Sequence, residues 1–544
     1  MKILWLDINA SYSHSSLAIP AMDAQLEPKI REMHQWQILS GSLKLGASWF
    51  VQRINNMSPD LVLSTLWLFN HTMVMEVLAK AHALNPELRI ILGGPEFLGD
   101  NNFFLASNPF VESVFRGEGE EMFPQFVKSL GNNRDYLKLQ GFCSLDSKGN
   151  YIDNGYSKVN SFNSLAYPEK SFFFNWEKPF VQLETSRGCF NKCAFCISGN
   201  SRNIDELPVK SLKPRINLMY EKGIREIRIL DRTFNANIKR TLELIQLFNE
   251  FKGEVEFHTE IHPSFINAKF MEAIETTRHG TMHFEAGIQS LRENVLLKCN
   301  RYDKKQETLE GITYLSNLGK HEVHTDLIAG LPDYSFNELI EDLNVLVGIF
   351  PGEIQLESLK LLPGTSLKEN APKYGIKYSP IPPYEVLETP SISFNELELC
   401  RHLSAILDIY YNKPEWKHLF GGLVKRNNSF IELFAKYFLT NNIGKSIARE
   451  KKGLVIWEFC KNEFPHELDI VAVKWMENGL SFNIGPGLLS KVWKIGDKLT
   501  NPLYNNNSKE SSYRYLEFKD RRHWFLYNRK SNSSKSLLNY IEIF

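Results

Sequence analysis

The chain is poor in several features that would assign it at a glance. Cysteine is sparse and odd in number, seven among 544 residues. That excludes a disulfide scaffold and fits a reducing cytoplasm. Neither sign of charge is in excess, with Lys+Arg and Asp+Glu at 63 each. A generalised nucleic-acid or acidic-membrane surface is therefore excluded, and nucleic acid is not an expected partner. No apolar run approaches the roughly 18–20 residues of a membrane span. The start, Met1-Lys2-Ile3-Leu4-Trp5-Leu6-Asp7, has neither the apolar region nor the cleavage site of a signal peptide. What remains is an ordinary soluble composition, 43% apolar and 23% charged. The length exceeds what one compact core holds, so roughly two to four domains are expected.

Three of the seven cysteines, Cys189, Cys193 and Cys196, fall within eight residues at C-x3-C-x2-C spacing. Iron–sulfur clusters are normally held by four thiolates. Three at close spacing suit a cubane with one iron left open, and an open metal position is where chemistry happens. Zinc is the alternative, with His258 or Cys299 as a distant fourth ligand. Structural zinc sites usually pair two short cysteine knuckles, however, and no second knuckle is present.

Phe195 precedes the last cysteine, and the apolar strand Phe180–Glu184 leads into the motif. Together they resemble the signature of the radical S-adenosylmethionine (radical SAM) superfamily. The resemblance implies a [4Fe-4S] cluster on Cys189, Cys193 and Cys196. Its open iron would bind the amino and carboxylate groups of S-adenosyl-L-methionine, whose reductive cleavage gives methionine and a 5′-deoxyadenosyl radical.

Residues 1 to about 130 alternate short apolar runs (Lys2–Ile8, Trp36–Leu39, Leu61–Leu66, Arg89–Leu92 and Val111–Arg116) with helical patterns. Continuous apolar runs of this length predict buried parallel strands, and the alternation predicts a doubly wound α/β sheet. Ligands sit at the carboxyl ends of such strands. The turns there carry Asn9, Ser13 and His14; Ser64 and Thr65; Gly93, Gly94, Pro95 and Glu96; and Arg116, Gly117 and Glu118. Paired glycines let the backbone approach a bulky ligand, although Gly-Gly-Pro by itself also reads as a plain turn. The "ILGGPE" and "FRGEGEE" segments resemble the cobalamin-binding domain that precedes many radical SAM domains, which implies cobalamin contacts for these twelve residues. The Asp-x-His-x-x-Gly motif of the other cobalamin class is missing, so no histidine of that motif would ligate cobalt. A nucleotide, or an empty pocket, is the alternative occupant.

Residues 136–177 read as a linker, with a hairpin turn at Asp146–Asn150. From Phe180 to about Thr365 six more strand–helix units follow: Phe180–Thr185, Glu226–Leu230, Glu254–Ile261, His283–Ile288, His321–Ile328 and Glu353–Leu359 as strands. They predict a partial (β/α)6 barrel with its polar residues at the carboxyl ends: Asp231, Glu260, Glu285, Gln289, Asp326 and Lys360. A carboxylate ending a strand is equally a helix cap or a solvated loop residue. His258, His262 and His283 read equally well as hydrogen-bonded core histidines.

"ILDRTFNAN", "FEAGIQS", Asn300-Arg301, "DLIAGLP" and "LKLLPGT" resemble successive segments of cobalamin-dependent radical SAM proteins. The resemblance implies S-adenosylmethionine contacts from Phe195, Asp231, Glu260, Glu285, Gln289, Arg301, Asp326 and Leu361. Asp231-Arg232-Thr233 stands where many members carry Gly-Gly-Glu, which departs from the pattern for the amino-group contact.

Past residue 370 no cluster motif recurs, and Cys400 and Cys460 are isolated. Tyr384–Leu407 and Ser429–Trp457 read as helical, Tyr513–Tyr527 as a small hairpin, and Asn505–Ser508 and Asn528–Ser536 as polar loops. This region resembles a C-terminal domain of unknown function in one subgroup. The expected architecture is α/β: a Rossmann-like doubly wound domain (1–135), a linker (136–177), a partial (β/α)6 TIM-type barrel (178–368) and a smaller, mostly helical C-terminal region (369–544). The resemblance implies an oxygen-sensitive cytoplasmic enzyme that transfers a methyl group from cobalamin to an unactivated carbon of an unknown substrate. It also implies an electron donor such as flavodoxin or ferredoxin. Ring formation on the same scaffold is the enzymatic alternative, and a cobalamin or redox sensor is the alternative of another class.

Overall fold

The structure is a computed structural model that describes residues 1–131, 134–200, 204–492, 511–528 and 533–543. The chain forms two compact units, residues 1–335 with 358–394, and residues 336–357 with 395–543 of those described.

The first unit opens with β1 (Lys2–Asn9), β2 (Gln35–Ser42), β3 (Leu61–Thr65), β4 (Arg89–Gly93) and β5 (Ser113–Phe115), all parallel, in the order β2-β1-β3-β4-β5. The apolar runs become strands because both faces are covered, and the period of two divides each run between two cores. From β1, Leu4, Leu6 and Ile8 pack with Phe50, Ile54, Val74, Val77 and Leu78 on one face. On the other face, Ile3 and Trp5 pack with Ile19, Ile30, Phe123 and Phe126. This is the doubly wound arrangement, and its strand order reverses between β1 and β3, where such sheets bind ligands.

One segment departs from the expected linker. Residues within 136–177 add β6 (Phe142–Leu145) and β7 (Tyr151–Asp153) antiparallel to the edge of this sheet. Asp146 makes the turn, accepting from Lys148 N and Asn150 N at 2.8 Å each. Phe142 and Cys143 are buried on opposite faces, which ties the hairpin into both cores.

The second sheet of this unit contains β8 (Val181–Leu183), then, past a two-stranded ribbon of β9 (Ser186–Arg187) and β10 (Asp205–Glu206), β11 (Glu226–Ile229), β12 (Glu256–Ile261), β13 (Met282–Gln289) and β14 (Glu322–Ala329). The five main strands are parallel and pair in chain order. Along β12, β13 and β14 buried and half-buried residues alternate, with Glu322 at the start of β14 exposed. Phe257, Phe284 and Val323 turn outward to the helices, while Glu256, His258, Glu260, His283, Glu285, His324 and Asp326 share the inner face. The sixth expected strand forms as Glu353–Ser358.

The second unit is mostly helical. Pro414–Arg426, Phe430–Thr440 and Arg449–Glu463 pack an aromatic core of Tyr410, Phe420, Phe430, Phe434, Phe438 and Phe459. The helix expected over Tyr384–Leu407 begins only at Phe394, and Val386–Glu388 is a strand. The hairpin expected over Tyr513–Tyr527 forms as Ser511–Glu517 with Arg521–Asn528. Asn505–Ser508 and residues 529–532 lie outside the described residues, and Ser533–Ile543, expected in part as loop, is a strand. No helix among the described residues is long and apolar enough to cross a membrane.

Candidate active site

The three-cysteine loop hangs between β9 and β10, just past the carboxyl end of β8. Its base is fixed by Asp231, which follows β11 and is 3% exposed. The Asp231 carboxylate accepts from Thr185 N at 2.9 Å, Ser186 N at 2.8 Å and Thr185 Oγ1 at 2.5 Å. Arg240 closes the other side of Thr185, donating to its carbonyl at 2.9 Å and its hydroxyl at 3.1 Å. The middle of the loop is fastened twice more. Ala194 N donates to Cys299 O at 2.8 Å, and Leu367 N donates to Ala194 O at 2.9 Å. Gly199 packs so closely that a Cβ would stand 2.6 Å from Cys193 O.

Cys189 and Cys196 are half-buried and Cys193 is buried; none of the three is in a disulfide. Burial pushes the Cys193 thiol up to about 11, opposed by the Arg301 guanidinium beside it. A thiolate buried as Cys193 is calls for a strong positive partner, and three cysteines on one anchored loop fit an iron–sulfur cluster. Cys299 is buried as well, and burial pushes its thiol up to about 12. His258, the other distant zinc candidate, is engaged with Glu285 inside the barrel at 2.9 Å.

The residues expected to meet S-adenosylmethionine divide into two groups. Asp231 is committed to the 185–186 turn. Arg301 is buried, donating to Asp303 Oδ2 at 2.5 Å and Gly287 O at 2.6 Å. Glu285 turns to His258, whose hydrogen bond holds its carboxyl below the ordinary range. Leu361 is buried, with its N–H on Tyr384 O at 2.9 Å. Asp231, Arg301 and Leu361 are buried among these neighbours, whereas Glu285 keeps 37% of its side chain exposed. The others sit where a ligand can reach them. Phe195 is half-buried within the cysteine loop. Glu260, at the carboxyl end of β12, is 37% exposed in its side chain and lies 3.8 Å from Arg232. Burial pushes it up to about 7, against Arg232. Gln289 takes φ +68° where the β13–β14 register shifts, a bulge that re-aims its side chain at the strand end. Asp326 is half-buried on the inner face of β14.

At the carboxyl ends of β1, β3, β4 and β5 lies a cavity of about 310 Å³. Its walls are Trp5, Leu63, Ile91, Phe115, Phe123 and Phe142, and its rim includes Ser64, Thr65, Gly93, Gly94, Pro95, Gly117 and Glu118. Two of the rim glycines are required. Gly94 has φ +110°, with Leu66 O 2.7 Å from where a Cβ would be; Gly117 has φ +111°, with Ser157 O at 2.1 Å. A flat apolar ring system, such as the base on a nucleotide tail, suits this slot. Of the remaining residues expected here, Asn9 donates to Asp7 at 2.8 Å, Ser64 donates to Leu6 O at 2.8 Å, and Glu96 is buried against the Tyr384 hydroxyl. Ser13 is half-buried, and His14 pairs with Ser11 at 2.8 Å and packs edge-on against Phe180. Arg116 binds Leu98 O and Asp153 and lines a second, wider cleft of about 600 Å³ with Lys158, Gly188 and Arg232.

Slot and cleft share one wall, Glu118, Glu184 and Arg187. Arg187 binds Glu184 at 2.9 Å and Glu120 at 2.8 Å and lies 3.7 Å from Glu118. Sequence reading missed this arginine, as it missed Asp303 and its 2.8 Å contact to His262. The available signal for Arg187 was its place two residues before Cys189.

Residues 183–346 match the radical SAM superfamily, and residues 372–483 match a protein family of unknown function, DUF4080. An uncharacterized methyltransferase of Pyrococcus horikoshii is 26% identical over 368 residues, 64% of this chain and 77% of that protein. The fold is shared with the radical S-adenosylmethionine methyltransferase TsrM from Kitasatospora setae, solved with cobalamin and a [4Fe-4S] cluster bound. The TM-score is 0.54 at 14% identity, covering 70% of this chain and 81% of that one. It is shared also with the cobalamin-dependent S-adenosylmethionine radical enzyme OxsB, solved with aqua-cobalamin bound, at TM-score 0.59 and 13% identity, covering 87% and 79%.

Proposed function

We propose that this chain, which carries a radical SAM domain, is a cobalamin-dependent radical SAM enzyme that methylates an unactivated carbon. One observation carries the reading. A cleft lined by Gly188, Ile197 and Ser198, the residues that flank the three-cysteine stretch, shares Glu118, Glu184 and Arg187 with a mostly apolar slot at the end of a doubly wound sheet. The Pyrococcus and TsrM names support methyl transfer, and the TsrM and OxsB names support cobalamin with radical S-adenosylmethionine chemistry.

When bound, the cluster supplies an electron to S-adenosylmethionine, and cobalamin supplies a transferable methyl group. The chain's own residues hold, orient and exclude water. Cys189, Cys193 and Cys196 are the proposed cluster ligands. Asp231, Thr185 and Arg240 fix the turn that aims them, and Arg301, tied to Asp303, balances charge behind Cys193. Glu260 with Arg232, Gln289 and Asp326 form the proposed contact set for S-adenosylmethionine at the barrel end. Glu260, pushed up to about 7, is able to hold or release a proton there at neutral pH. The Trp5–Phe142 slot takes the cofactor's base, and Gly93-Gly94 and Gly117 admit its tail. The electron donor is proposed to be a flavodoxin or ferredoxin, and the compartment the reducing cytoplasm, which suits seven cysteines none of which is in a disulfide.

The test uses protein purified without oxygen from cobalamin-fed cells and given a chemical reductant, S-adenosylmethionine with a deuterated methyl group, and small-molecule extract. The expected result is 5′-deoxyadenosine together with a product bearing one labelled methyl. A product that has lost hydrogens without gaining the label would replace methyl transfer with ring formation. Absence of 5′-deoxyadenosine would remove the radical reading altogether.

A further inference from the structure

The inner face of the second sheet carries a cluster that neither the cysteine loop nor the slot uses. His258, His283 and His324 stand side by side on β12, β13 and β14. Their ring centroids are 4.4 Å apart between His258 and His283, and 4.2 Å between His283 and His324. Glu322 lies directly across from His283 in the parallel register, and His324 follows it by two residues. Glu-x-His on a strand puts both side chains on one face, so the pair on β14 converges on His283. One ligand atom from each of His283, Glu322 and His324 lies within 4.8 Å of the other two.

These residues lie toward the amino ends of the strands. His283 is the second residue of β13 and Glu322 the first of β14, whereas the cysteine loop and Gln289 are at the carboxyl ends. The cluster is therefore separate from the proposed catalytic site and does not depend on that reading.

We propose that His283, His324 and Glu322 form a binding site for one divalent transition-metal ion of the zinc type, closing the floor of the barrel. Two histidines and a glutamate are a recurrent zinc donor set, with metal–ligand distances near 2.0–2.2 Å. Ligand atoms on one ion then stand roughly 3.3–4 Å apart by simple geometry. His283 Nδ1 lies 3.8 Å from Glu322 Oε2 and 3.7 Å from Glu256 Oε1, beyond hydrogen-bonding distance and within this range. His283 Nε2 is buried and makes no hydrogen bond. The ion's charge would be balanced by Glu322 and by the nearby Glu256. Glu322 is 71% exposed in its side chain, so an ion has a way in from solvent.

The experiment separates this site from zinc captured by the cysteines. Full-length protein with Cys189, Cys193 and Cys196 all changed to alanine is passed over chelating resin and titrated with Zn(II) against a chromophoric competitor. About one ion per chain is expected, as the single donor set allows. Adding Glu322→Gln, an exposed change that leaves the fold intact by circular dichroism, or His283→Ala, should weaken binding more than about 100-fold, since even outer-shell partners are worth 10–100-fold. Zinc bound at less than about 0.1 per chain, or bound equally well by Glu322→Gln and His283→Ala, would overturn the proposal. Should the triple variant fail to fold, Co(II) added to the cluster-loaded wild-type chain decides. A nitrogen/oxygen-type visible spectrum without sulfur charge-transfer bands, lost in His283→Ala, supports the site, and its absence overturns it.

Discussion

Asp231 is where two readings of one residue give opposite experimental results. As a side chain contacting S-adenosylmethionine, the role its motif implies, its removal weakens cofactor binding and leaves the fold alone. As the anchor of the Thr185–Ser186 turn, its removal strikes the fold first. Asp231→Ala deletes three accepted hydrogen bonds and leaves two buried backbone N–H groups without partners. Each orphaned donor costs about 1–3 kcal/mol. Part of that is offset because a buried carboxylate no longer has to be desolvated. The net loss is about 2–4 kcal/mol, a large share of a stability of about 5–15 kcal/mol. Asp231→Asn keeps an oxygen for both backbone donors, and its amide can donate to the Thr185 hydroxyl, so its cost is about 1 kcal/mol or less. The assay is urea unfolding of both variants alongside iron content after anaerobic purification. Alanine should lower the midpoint and lose most of the iron, while asparagine keeps both. Wild-type stability in the alanine variant with a raised KM for S-adenosylmethionine would refute the anchoring role and restore direct contact. Equal damage from asparagine and alanine would show that the charge matters and the acceptor geometry does not.

Three further outcomes are expected. Cys193→Ala should abolish the cluster, read as iron and sulfide, while cobalamin binding stays largely intact; equal loss of both would contradict separate sites. Ala21→Phe, at the rim of the apolar slot, should lower bound cobalamin by tenfold or more at an overpacking cost of about 1–3 kcal/mol, with iron unchanged; full cobalamin occupancy would move the base out of this slot. Glu260, raised from 4.5 to about 7, favours its neutral form in the folded chain, so its contribution to stability is present below about pH 4.5 and is lost as pH rises through about 7. Glu260→Gln should flatten that decline in cofactor-free protein and remove an ionisation near 7 from the pH–rate profile, and an unchanged profile would exclude proton transfer by this residue.

The parallel strands were legible because burial on both faces leaves continuous apolar runs, and Lys2–Asn9 and Leu61–Thr65 emerged within a residue or so of their expected bounds. The hairpin at Asp146 was legible as a turn, but its pairing with β5 was not, since nothing local in Phe142–Leu145 specifies a neighbour. The same division holds at the site. Cysteine spacing is local chemistry and could be read directly. The roles of Asp231 and Glu285 depend on Thr185 and His258, 46 and 27 residues away, and a strand-end carboxylate looks the same in sequence whether it faces a ligand or a neighbouring turn. Arg187 and the histidine cluster share that limit, because register across β12–β14 brings the three rings together.

The most direct test is the content of iron, sulfide and cobalamin per chain in protein purified without oxygen from cobalamin-fed cells. About four irons with matching sulfide, as a cubane cluster requires, together with about one cobalamin, is the expected result. Iron without cobalamin would contradict the slot's assignment and end methyl transfer by this route, and zinc in place of iron at the three cysteines would contradict the radical chemistry itself.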